Sequence, residues 1–166
     1  MKCIKTTDAV GHVLCHDITR IVKDVVKDTA FRKGHIVQEE DIPVLLSLGK
    51  DNLYVWEKDE NTLHENEAAQ ILCDVCMNEN MHPTAVKEGK IELIADCDGV
   101  FRVDVPRLDA INEIDEIMIA TRHTNFPVKK GDRLLGTRVI PLVIAKEKME
   151  LVKKTAGDTP LVSLTP

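Results

Sequence analysis

The chain offers a few places where residue types and spacing could do chemistry. Cys73-Asp74-Val75-Cys76 is a C-x-x-C pair. Two thiolates at that spacing ligate zinc or cycle between dithiol and disulfide. Zinc would need two further ligands, and His64 and His82 lie nearest in sequence. The pair falls inside an amphipathic helix, however, away from its N-terminus and with Cys76 on the apolar stripe, so both are read as structural cysteines. Asp96-Cys97-Asp98-Gly99 opens like a calcium loop, but the remaining ligand positions are missing. It reads instead as a hairpin turn, and Asp104 adds nothing to it. His12 and His16 stand four residues apart on an expected strand, roughly 13 Å along it, too far to share a metal. His35, His64, His82 and His123 form no metal-binding pair and read as solvated or core-edge residues. Arg122-His123-Thr124-Asn125 follows an expected buried strand, and Lys129, Lys130, Arg133 and Arg138 come soon after it. This is the most basic region of the chain. Arg122, His123, Lys129, Lys130, Arg133 and Arg138 are therefore the candidate ligand contacts, suited to a phosphate-bearing molecule. The competing reading is a solvated loop. No phosphate-binding loop, dinucleotide glycine fingerprint or nucleophile elbow is present, and no catalytic residue or metal ligand is assigned.

These residues need elements to hold them. Residues 2–5 alternate as a short strand, 6–11 read as a turn or one helical turn, and a strand is expected over 12–21. Lys23 to Thr29 reads as a loop or hairpin, and 31–37 as a turn entering a strand. A helix follows with acids in its first turn, Leu45, Leu46 and Leu48 as its buried stripe, and Gly49 as its left-handed cap. Residues 52–57 alternate, with Tyr54 and Trp56 on one face and Leu53 and Val55 on the other. A second helix is expected from Thr62, where Thr62 and Glu65 have capping-box spacing. Ala68, Leu72, Val75 and Cys76 recur along it. Beyond Pro83 the pattern turns to strands. Residues 90–95 and 100–103 flank the Asp-Cys-Asp-Gly turn as a hairpin, 106–114 form a short helix, and 117–120 form a buried strand. Residues 134–144 read as one strand interrupted at Gly136 and Pro141. Residues 146–154 are either a sheet edge or a weak helix. The change of pattern at residues 81–88 is the expected boundary, dividing 1–80 from 81–166. The fold class is α+β.

Composition narrows the function classes. The 166 residues suit one domain or two small ones. Aromatics make up 3%, too few for the stacking platforms of single-strand binding. The net charge of −6 argues against a broad phosphate-backbone surface, so no nucleic-acid partner is expected. No apolar run nears the roughly 20 residues of a membrane span. The N-terminus lacks the pattern of a signal peptide. Five cysteines without disulfide spacing fit a reducing compartment, so a cytoplasmic location is expected.

Asp8-Ala9-Val10-Gly11-His12-Val13-Leu14-Cys15-His16-Asp17-Ile18 resembles the opening of MoeA-like molybdopterin-binding proteins. Phe31-Arg32-Lys33-Gly34-His35-Ile36-Val37 with Glu40-Asp41-Ile42 continues the likeness. So do residues 45–56, 127–131 and 136–141. The resemblance implies a role in molybdenum cofactor biosynthesis, where molybdate enters an adenylated pterin with magnesium. It also implies an elongated homodimer with a β-rich front section. Residues 21–30, IVKDVVKDTA, lack the acid-bearing segment of the transferase. The pterin-binding α/β domain has no counterpart either, and the sequence ends about where that domain would begin. The chain is therefore expected to be a non-catalytic front section that dimerises and positions a partner domain. It would bind no cofactor itself; molybdopterin and magnesium would belong to the full-length family. The first segment also resembles SAF or β-clip modules, which implies a β-clip-like front half with two helices, ahead of a β-rich second half. That kinship leaves sugar-acid binding as the alternative function.

Overall fold

A computed structural model describes residues 2–22, 26–56 and 60–166. The fold is α+β and rich in antiparallel strands, as expected. The chain separates into two compact units, Met1–Glu60 and Asn61–Pro166, each with its own apolar cluster.

The first unit runs β1 (Lys2–Lys5), a 3-10 turn (Thr6–Asp8), β2 (Val13–Leu14), β3 (Ile18–Val22), β4 (Val26–Phe31), α1 (Asp41–Ser47) and β5 (Asn52–Trp56). β5 is the centre of a three-stranded antiparallel sheet in the order β1-β5-β2. Strand alternation sends Leu53 and Val55 inward and leaves Tyr54 and Trp56 exposed, as the sequence pattern requires. The expected strand over 12–21 is interrupted. The Cys15 N–H still bonds to the Tyr54 carbonyl at 3.1 Å, but the chain then leaves the sheet. It resumes as β3, which pairs with β4 in a two-stranded ribbon. The loop or hairpin expected at Lys23 to Thr29 becomes part of that ribbon, except Lys23, Asp24 and Val25, which lie outside the described residues, as does Glu57.

Helix α1 is shorter than expected. Leu45 is fully buried and Leu48 partly so, whereas Leu46 is at the surface. One residue turns a helix by about 100°, and on this short helix that rotation carries Leu46 off the narrow face that Leu45 buries. Gly49 stops the helix as expected, with φ of 77°. Its N–H bonds to Leu46 O at 3.0 Å and that of Lys50 to Leu45 O at 3.1 Å, the paired geometry of a Schellman cap.

The second unit runs β6 (Thr62–His64), α2 (Glu65–Cys76), β7 (Met81–Pro83), β8 (Lys90–Ala95), β9 (Gly99–Val103), α3 (Val105–Asn112), β10 (Ile117–Thr121), β11 (Phe126–Val128), β12 (Arg133–Val139), β13 (Val143–Ala145), α4 (Lys146–Ala156) and β14 (Val162–Thr165). Its antiparallel sheets have the orders β10-β12-β8-β7, β11-β9-β14 and β13-β6. Ala68, Ala69, Leu72, Cys73 and Cys76 of α2 enter the same cluster as Ile91 and Leu93 of β8. The pattern change at residues 81–88 thus falls within one unit, because a helix before it and strands after it share a core.

Tertiary pairing overrides several local expectations. Thr62 does not cap α2; it lies opposite Ala145 in the β6–β13 pair. His64 takes the cap, its Nδ1 accepting the Asn66 N–H at 3.1 Å. Strands β8 and β9 are not a hairpin: β8 pairs with β12 and β7, and β9 with β11 and β14. The Asp-Cys-Asp-Gly turn instead carries the chain from one sheet to another. Gly99 is needed there because a Cβ would collide with the backbone carbonyl of Thr165. Gly136 sits in regular strand, and the bulge lies between Arg133 and Leu135 instead. Residues 146–156 form a full helix, and β14 is a strand that the sequence pattern does not announce.

β10 is an edge strand, half-buried rather than fully so, with Met118 and Ala120 exposed. Asn112 brackets its free side, donating from Nδ2 to Ile119 O at 2.9 Å and accepting the Ile119 N–H at Oδ1 at 2.8 Å. Its side chain thus stands in for a neighbouring strand. This fixes the strand that leads into Arg122.

Candidate functional site

Arg122 and Arg133 meet at the end of β10 and the start of β12. With Glu92, Ala120, Thr121 and Gly136 they line an open depression of about 460 Å³ on the solvent face of the four-stranded sheet. The sheet's pairing creates it. Gly136 lies between Ala120 and Glu92 on neighbouring strands, so a residue without a side chain forms the floor. The Arg122 N–H bonds to Leu134 O at 2.9 Å and its Nε donates to Arg133 O at 2.5 Å. Its guanidinium carbon also sits 5.9 Å from the centre of the Phe126 ring. Arg133 faces Glu92, Nε to Oε2 at 3.3 Å, with its side chain 74% exposed. An ion pair that exposed is worth about 0–1 kcal/mol.

The other candidate residues are placed differently. Arg138 lies two residues beyond Gly136 on the same strand, opposite Met118 and Lys90. His123 interacts through Nδ1 with the Thr124 carbonyl oxygen at 3.0 Å. Lys129 and Lys130 belong to the turn before β12. Their backbone N–H groups bond to Asp132 Oδ2 at 2.9 Å and Asp98 Oδ1 at 2.8 Å. The structure therefore brings Arg122 and Arg133 together and leaves His123, Lys129 and Lys130 outside the depression.

Sequence reasoning missed a second recess, in the first unit. Leu14, Ile18 and Leu53 lie beneath it, and His16, Asp17, Lys50, Asn52 and Tyr54 surround it, enclosing about 180 Å³. His16 meets the Tyr54 ring edge-on at 5.9 Å. One signal was present in the sequence: the only tyrosine of the chain falls on the polar face of an alternating strand. The approach of residues 16–18 to that strand is a tertiary matter.

Cys73 and Cys76 are fully buried in the core cluster. Burial pushes the thiols up, to about 11 for Cys73 and about 12 for Cys76, with smaller contributions from Asp74 and Cys73 respectively. Thiols held that far from ionisation are poor nucleophiles at neutral pH. Among the described residues no three His, Cys, Asp or Glu side chains gather as a metal site. His82 and Asp96 form a close exposed pair. Among the described residues no helix is long and apolar enough to cross a membrane.

Residues 3–57 match a family described as a domain of unknown function (DUF8806). No curated protein and no solved structure matches the chain.

Proposed function

We propose that the chain is a non-catalytic positioning module of molybdenum cofactor assembly, the counterpart of the front section of MoeA-like proteins, acting as a cytoplasmic homodimer. The observation that carries this reading is how the two stretches resembling that family are used. They bond to each other: Gly11 N–H to Val37 O at 2.8 Å, Val37 N–H to His12 O at 3.0 Å, Leu14 N–H to His35 O at 3.0 Å and Gly34 N–H to Leu14 O at 2.8 Å. Their acids hold the backbone. Asp17 accepts the Lys33 N–H and Asp41 the Gln38 N–H, each at 2.8 Å. Residues engaged in this way maintain a shape rather than perform a reaction. The match over residues 3–57 spans the same stretches, and its description carries no function. Free cysteines throughout the described chain accord with a reducing compartment.

A second reading, a small-ligand module of the SAF type that takes sugar acids, is favoured by the recess around Lys50 and Tyr54. Light scattering and calorimetry on the same sample separate the two. The positioning reading expects the mass of a dimer and no turnover of adenylated molybdopterin with molybdate and magnesium. A monomer at high concentration, or turnover, overturns it. Saturable heat with a sugar acid, lost in Lys50→Ala, transfers support to the second reading.

A further inference from the structure

We propose that the depression between β10 and β12 is an oxyanion site, in which Arg122 presents the two terminal nitrogens of its guanidinium to a phosphate or carboxylate group of a small molecule. The inference rests on how Arg122 is held. A guanidinium has five N–H donors in a rigid fork. The Nε–H of Arg122 is taken by Arg133 O at 2.5 Å, which fixes the plane of the group along one edge. The guanidinium carbon also lies over the Phe126 ring, 5.9 Å from its centre. Among the described residues Nη1 and Nη2 have no hydrogen-bond acceptor, and no carboxylate lies within ion-pair distance of Arg122. A fork already oriented loses less freedom on binding than a mobile lysine would, and it matches the paired oxygens of phosphate or carboxylate.

The surroundings fit the same ligand class. Gly136 leaves the floor open: a Cβ there would meet only Glu92 Cγ, at 3.8 Å. Arg133 is tied to Glu92 by an exposed ion pair of little strength, so its guanidinium is available to turn toward a bound anion. Glu92 offsets one of the two arginines lining the depression, which favours a small anion over an extended polyanion. Arg138 and Lys90, opposite each other two residues along β12 and β8, add positive potential on the same side.

The test uses the full chain and two probes, inorganic phosphate and acetate, followed by calorimetry and by the NMR signals of the arginine side chains. Saturable binding is expected for at least one probe, with a shift of the Arg122 resonances and weakening as sodium chloride is added. Phosphate alone points to a phosphate-ester ligand, acetate alone to a carboxylate, and either supports the site. Arg122→Lys keeps the charge and loses the fork, and is expected to weaken binding at least about tenfold, or 1.4 kcal/mol. Gly136→Val fills the floor and is expected to weaken binding without removing any charge. Circular dichroism verifies that each variant is folded. No saturable binding of either probe, or binding unchanged in both variants, overturns the proposal. The dimer mass that tests the positioning role is unaffected by these outcomes, so the two proposals fail separately.

Discussion

Asp41 shows what one carboxylate does for the first unit. Its Oδ2 lies 2.7 Å from His35 Nε2 and accepts the Gln38 N–H at 2.8 Å, tying the start of α1 to the segment that pairs with β2. Burial alone would raise its pKa, but the bonds to His35 and to the Gln38 N–H outweigh burial and hold it below the ordinary value of 3.8. A depressed folded pKa means that the stabilisation is complete above the unfolded value and is lost as pH falls through the folded one. Asp41→Asn is therefore expected to cost about 0.5–1.5 kcal/mol at pH 7, the usual net worth of a half-buried hydrogen bond. Urea denaturation at pH 7 and at pH 3 measures this: the gap between wild type and variant should narrow at the lower pH. A gap that widens there would show that the carboxylate is not the stabilising form.

At the scale of elements, the second unit depends on side chains that replace missing strands or helix partners. Asn78 and Asn80 donate to Val162 O and Leu164 O, both at 3.0 Å, and so cover the outer side of β14. Thr124 does the same for Val103, with its Oγ1 accepting the Val103 N–H at 2.9 Å. Edges occupied in this way cannot template another chain. In the first unit the edge strand β1 instead has Lys2 and Lys5 at its two ends, and like charges there discourage antiparallel self-pairing. Any dimer interface should therefore lie elsewhere than along β1. The end of α4 depends on Arg107. Its guanidinium donates to Ala156 O, to Thr159 O at 2.8 Å and to Pro160 O at 3.0 Å, while its Nε is held by Asp104 Oδ2 at 2.8 Å. Arg107→Met should destabilise the unit by about 1.5–3 kcal/mol, because charge-assisted bonds to several carbonyls are lost together. Arg107→Lys should recover little, since an ammonium cannot reach that many acceptors at once. Chemical denaturation of both variants checks the expectation, and full recovery in the lysine variant would contradict it.

At the scale of the whole molecule the described residues form two apolar clusters, one built on Leu14, Leu45 and Val55 and the other on Leu72, Leu93 and Phe101. Separate cores should lose stability separately. Removing a buried leucine costs about 2–5 kcal/mol through lost burial and the cavity left behind. Trp56, the only tryptophan, lies in the first unit, whereas α2, α3 and α4 lie in the second. Tryptophan fluorescence thus reports the first unit, and far-ultraviolet circular dichroism is weighted to the second. Leu45→Ala should move the fluorescence transition in urea, and Leu72→Ala the dichroism transition. A single transition moved equally by both variants would show one cooperative unit instead.

The sequence by itself determined whatever depends on neighbours a few residues away. The alternation in β5, the apolar stripe of α2, the cap at Gly49 and the burial of Cys76 all follow from strand and helix periods and from the conformational freedom of glycine. Arg122 and Arg133 were legible as candidates because a run of cations stood out in a chain of net charge −6. Only the tertiary structure decided which strands pair. It separated β8 from β9 despite a sound turn signal, made Thr62 a strand residue despite its capping spacing, and placed β14 beside Gly99. It also turned a loose basic region into one depression with an oriented guanidinium and a bare floor, leaving His123, Lys129 and Lys130 outside. The reason is physical. Local preferences are worth about 1 kcal/mol or less per residue. Burying a side chain such as Leu or Phe is worth about 1.5–3 kcal/mol, so partners distant in sequence override local preferences wherever the two conflict.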